Sequence, residues 1–119
     1  MRQAFVHEAL LTLPASSDRR GPGAAITLAL CGAWEHPPPC PVAPHHTSEQ
    51  SVPEGILVRT VFVVAPEQER QVRDRIDEAL ARGRQVGPDG DVTTWSVVGS
   101  RAGVLGPDEQ ALGQRLASG

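Results

Sequence analysis

The residues able to do chemistry are bunched. The chain holds two Cys and four His, and five of these six fall between positions 31 and 46: Cys31, His36, Cys40, His45 and His46. Two thiolates and two imidazoles form a natural tetrahedral set for Zn²⁺, and such borderline-soft N/S donors also suit Cu or Fe. The spacing, C-x4-H-x3-C-x4-H-H, has neither the CxxC knuckle nor the helical H-x3-H of common zinc modules. Pro37, Pro38 and Pro39 favour a polyproline II path, which at ~3.1 Å per residue sets His36 and Cys40 ~12 Å apart. The inner metal set is therefore Cys31, Cys40 and one or both of His45 and His46, with His36 the weakest member. Adjacent histidines on an extended backbone point in different directions, so one can ligate while the other hydrogen-bonds or faces solvent.

The same side chains permit other readings. Cys31 or Cys40 could act as a nucleophile, with His7, His36 or His45 as base, or the two thiols could form a reversible disulfide if their Cα atoms lie within ~7 Å. Glu35 is the one carboxylate near the cluster that could serve as a general base beside a metal-bound water. A non-catalytic module is the third class: Pro38-Pro39-Cys40-Pro41 and Pro41-Val42-Ala43-Pro44 are PxxP patterns able to dock a protein partner. A homodimer through the sheet is a further expectation, Ala25, Ala29 and Ala33 leaving room for a second layer. The plainest reading makes Cys31 a small buried residue and the prolines a rigid surface loop.

These residues need elements to hold them. Residues 3 to 14 alternate and read as a strand, with Phe5, His7, Ala9, Leu11 and Leu13 on one face. Residues 24 to 34, AAITLALCGAW, also alternate and read as a second strand in a hairpin, pairing Leu13 with Ile26 and placing His7 opposite Gly32. Residues 35 to 54 form a proline- and histidine-rich loop. GILVRTVFVVAP, 55 to 66, has the continuous β-branched run of a central strand. PEQERQVRDRIDEALARG, 66 to 83, is a helix with Pro66 in its first turn, Gly83 as its stop, and an apolar stripe of Val72, Ile76, Ala79 and Leu80. On the outer face of that helix, Glu69 with Arg73 and Glu78 with Arg82 make a solvated i,i+4 surface. Gly87-Pro88-Asp89-Gly90 is a turn, residues 92 to 100 a fourth strand, and the stretch after Pro107 a short helix.

The expected fold is one α+β domain over residues 1 to 119, a two-layer sandwich with a four-stranded mixed sheet, element order β-β-β-α-β-α, broadly ferredoxin-like. Composition narrows its partners. The formal net charge is −3 and only four aromatic residues occur, which argues against the basic groove and stacking platforms of a nucleic-acid binder. All eleven basic residues are Arg, which rules out a catalytic lysine. No apolar run nears the ~20 residues of a membrane span, and the first residues lack the apolar core of a secretory signal. The reading is thus a small metal-binding protein in the cytoplasm, with Zn²⁺ as cofactor, and neither nucleic acid nor membrane as partner.

Overall fold

The computed structural model describes residues 2–31 and 43–118. The elements run β1 (Gln3–Thr12), α1 (Gly21–Cys31), β2 (His45–Val52), β3 (Gly55–Val64), a short 3₁₀ turn (Pro66–Gln68), α2 (Glu69–Ala81), β4 (Arg84–Val86), β5 (Val92–Thr94), β6 (Ser96–Ala102) and α3 (Pro107–Ser118). The four-stranded sheet has the order β2-β3-β1-β6, and β4 and β5 form a separate ribbon. Every neighbouring pair is antiparallel, so the sheet is not mixed. β3 and β6 do run in the same direction, as a crossover through α2 requires, but β1 lies between them.

β3 is central because both of its faces are covered. Val58, Thr60, Phe62 and Val64 point to one side, Val61 and Val63 to the other, and all are buried. On the first face β1 contributes Ala9 and Leu11, and α1 and α2 close the core with Ile26, Leu30, Val72, Ile76 and Leu80. The α2 stripe expected from the sequence is the buried one. Trp95, between β5 and β6, caps this core and donates from Nε1 to the Leu80 carbonyl at 2.8 Å. Gly83, at φ +70°, ends α2: its N–H returns to the Leu80 carbonyl and its own carbonyl accepts from Trp95 N–H.

Several expectations are corrected. Residues 21–31 are a helix and not the second strand of a hairpin, so the element order is not β-β-β-α-β-α, and the pairing of Leu13 with Ile26 does not exist. Pro22, Ala25, Ile26 and Leu30 are buried at helical spacing, and this tertiary burial outweighs the local alternation. Ala25 belongs to the core and offers no face to a second layer. Residues 45–52, expected within an irregular loop, form the edge strand β2, whose polar side chains alternate between half-buried and exposed and which is zipped to β3 from His45↔Phe62 to Val52↔Gly55. The single strand expected at 92–100 is two, β5 and β6, separated by the inward turn of Trp95. The structure is not a two-layer sandwich either: α3 lies on the opposite sheet face from α1 and α2, where a Cβ at Gly113 would come within 2.6 Å of Ala4 Cβ.

Candidate functional site

The last turn of α1 meets the first residue of β2. Cys31, 3 % exposed, ends the helix, and His45 opens the strand on the face turned toward it. Cys31 Sγ and His45 Nδ1 are 3.5 Å apart. His45 Nδ1 also lies 3.2 Å from the Ala43 carbonyl oxygen, which can only accept, so Nδ1 carries the proton and donates. The other ring nitrogen, Nε2, then accepts from the Thr27 hydroxyl at 3.2 Å. A hydroxyl both donates and accepts, so Thr27 can serve either tautomer of this ring.

The sequence pattern brings these groups together through β2. Pairing His45 with Phe62 turns the imidazole toward α1, and His46 is consequently exposed on the other side. The opposed directions of the two histidines are as expected from extended backbone. Beside them a shallow cleft of about 310 Å³ is lined by Arg20, Thr27, His45, His46, Thr47 and Glu49. The Thr47 hydroxyl is buried with no hydrogen-bond partner among the described residues, as is that of Thr60 opposite it. Gly23 borders this cleft, and a Cβ there would reach the Thr47 methyl at 3.4 Å.

Of the five residues singled out as metal ligands, Cys31 and His45 meet and His46 turns away. His36 and Cys40 lie outside the described residues, as does Glu35. Cys31 is disulfide-bonded; Cys40 is the chain's other cysteine. Among the described residues, no group of three or more His, Cys, Asp or Glu is arranged to hold a metal ion.

His7 does not serve the cysteine. It is 4 % exposed beneath α2, where Arg73 Nη1 stands 3.1 Å from Nδ1. A guanidinium can only donate, so Nδ1 accepts and Nε2–H donates to Asp77 Oδ1 at 2.7 Å. Both nitrogens of this ring are thus occupied. Arg73 also donates to Glu69 Oε2 at 2.8 Å and to the Val6 carbonyl at 2.8 Å, and its guanidinium carbon lies 5.3 Å from the centre of the Phe62 ring. The Glu69–Arg73 pair expected from spacing exists, but Arg73 is packed against the aromatic core and is no part of a solvated face.

A second charged cluster sits on the other sheet face, and sequence reasoning missed it. Glu8, 5 % exposed, accepts from Arg59 Nη1 through Oε2 and from Arg101 Nε through Oε1. Arg59 makes a fork with Glu109, Nε to Oε2 at 2.9 Å and Nη2 to Oε1 at 2.6 Å, and donates to the Val104 carbonyl at 2.9 Å. The hydrogen bond from Arg59 holds the Glu109 carboxyl below its usual range, and Glu109 raises Arg59 in turn. A signal was present: Glu8 follows His7 in an alternating strand, so it faces the side opposite the helices that cover His7.

No protein-family model matches the chain, and no curated protein and no solved structure matches it. No helix among the described residues is long and apolar enough to cross a membrane.

Proposed function

We propose that the chain is a small metal-binding protein whose reduced form holds Zn²⁺ through Cys31 and His45. The observation that carries this reading is the 3.5 Å between Cys31 Sγ and His45 Nδ1. In a tetrahedral site with Zn–S of about 2.3 Å and Zn–N of about 2.0–2.1 Å, a sulfur and a nitrogen ligand are about 3.5 Å apart. The pair has the dimension of one edge of such a site. Metal binding would move the ring proton from Nδ1 to Nε2, where the Thr27 hydroxyl is placed to accept it, the outer-shell support usual for a ligating imidazole. Cys40 and His36, from the sequence alone, are the proposed remaining ligands.

The disulfide at Cys31 then belongs to the metal-free form. A cellular dithiol supplies two electrons and two protons to open it, and the cytoplasm is the compartment we assign, because its reducing poise keeps such a pair available as ligands. A thiol–disulfide exchange protein is the second reading. It is favoured by the same imidazole, whose Nδ1–H can stabilise the thiolate released from Cys31. The fold we assign is ferredoxin-like, supported by the succession β1-α1-β2-β3-α2-β6 and the strand order β2-β3-β1-β6.

Elemental analysis of untagged protein, reduced and loaded with Zn²⁺ and then desalted, tests the metal reading. About one equivalent of Zn per chain is expected, lost in Cys31→Ser and in His45→Ala and kept in His7→Ala. Metal-free reduced protein, or an undiminished content in Cys31→Ser, overturns it.

A further inference from the structure

α3 covers one end of the sheet face that carries Glu8 and leaves the other end open. There a pocket of about 380 Å³ is floored by Leu10, Val52 and Leu57 and bordered by Gly99, Glu8, Arg101 and the exposed Glu54. Its size is at the lower end of the range for small-molecule sites, and such sites combine an apolar lining with a few fixed polar groups. Here the three apolar side chains are only half-buried, while the polar group beside them is held firmly. The Glu8 carboxylate takes one guanidinium on each oxygen and carries no uncompensated charge for a cation to meet.

Arg101 is the group left over. Only its Nε is used, on Glu8, its side chain is 80 % exposed, and its two terminal nitrogens have no partner among the described residues. A guanidinium pinned at Nε and open at its fork offers a bidentate site to a carboxylate. Gly99 supplies the opening. It pairs with Leu10, so its missing side chain would stand on the pocket side, and a Cβ built there meets nothing within 4 Å.

We propose that this pocket binds a small apolar carboxylate, its hydrocarbon body lying on Leu10, Leu57 and Val52 and its anionic end on the Arg101 fork. Glu54 adds a second carboxylate at the exposed rim, so the anion is selected by the open fork of Arg101 and not by the net charge of the lining, and the apolar floor favours a hydrocarbon anion over a hydrated one such as phosphate. This site is independent of the Cys31–His45 pair, and its occupant stands whether or not a metal binds there.

Octanoate titrated into ¹⁵N-labelled protein tests it, with octanol as the neutral analogue. Octanoate is expected to shift the amides of Leu10, Leu57, Gly99 and Arg101 and to bind at least tenfold more tightly than octanol. Gly99→Leu fills the pocket without meeting the fold and is expected to abolish the shifts. Arg101→Gln is expected to bring octanoate down to the affinity of octanol. Equal binding of octanoate and octanol by the unmodified protein overturns the proposal, and so does undiminished binding by Gly99→Leu. Shifts of the same amides with protein concentration alone overturn it as well, because a second copy would then occupy the face.

Discussion

The charged cluster on the α3 side predicts an asymmetry between two substitutions of one ion pair. Glu8 and Arg59 are hydrogen-bonded partners, with side chains 6 % and 22 % exposed, yet they differ in what each leaves behind. In Glu8→Gln, Arg59 keeps its two bonds to Glu109 and the one to the Val104 carbonyl, and the exposed Arg101 returns to water. No buried charge is orphaned, so the cost is that of one weakened charged hydrogen bond, about 1–2 kcal/mol. In Arg59→Met, Glu8 keeps only Arg101 and Glu109 loses its fork, which leaves a nearly buried carboxylate half-satisfied at a cost of about 3–5 kcal/mol. For a domain of this size those figures correspond to falls of about 4–8 °C and about 12–20 °C in Tm. Urea unfolding of both variants at pH 7 measures them, and the double variant should be more stable than Arg59→Met alone, because the neutral amide no longer needs the guanidinium. A Glu8→Gln cost equal to or above that of Arg59→Met would refute the accounting, and so would simple addition of the two costs in the double variant.

Two further outcomes follow from the same network and from the core. Glu109 has a folded-state pKa below its ordinary value of 4.5, so its stabilisation is present above about pH 4.5 and drains away as pH falls through the lowered value. Glu109→Gln should therefore destabilise at neutral pH and flatten the acid limb of the stability profile below pH 4.5, as followed by thermal unfolding from pH 2 to 7. Trp95→Phe removes the buried bond to the Leu80 carbonyl and part of the cap on α2. A loss of about 2 kcal/mol is expected in chemical denaturation, where no loss would show that water replaces the indole.

Strong local patterns were legible in the sequence. The β-branched run of β3 and the α2 stripe of Val72, Ile76, Ala79 and Leu80 carry their own periodicity, and β1 was readable from its mostly alternating sequence, although Val6, His7, Glu8 and Ala9 are buried on both faces. α1 was misread because Ala, Gly, Thr, Ile and Leu occupy all sides of it. Without charges to mark an outer face, the alternation of Ile26, Leu28 and Leu30 looks like a strand. β2 was missed for the opposite reason: HHTSEQSV has almost no apolar content, and its strand state comes from the ladder that β3 offers. Cys31 and His45 were expected in one ligand set, but the elements that bring them together, a helix ending at 31 and a strand starting at 45, are the two that were misread. The burial of His7 and Glu8 on opposite faces followed from β1's alternation, whereas their arginine partners come from positions 59, 73 and 101 and could not be read locally.

The strand order also sets a timetable for synthesis. β1 is made first but stands inside the sheet, between β3 and β6, with His7 opposite Thr60 on one side and Ala102 on the other. At about 5–20 residues per second, a ribosome needs some seconds to add the residues between β1 and the end of β3. Until then ten residues rich in Val, Leu and Phe have no ladder to join. Their other edge stays bare until β6, made after β3, reaches it. β1 is therefore open to non-native pairing on both edges until β3 is made, and on one edge until β6 follows.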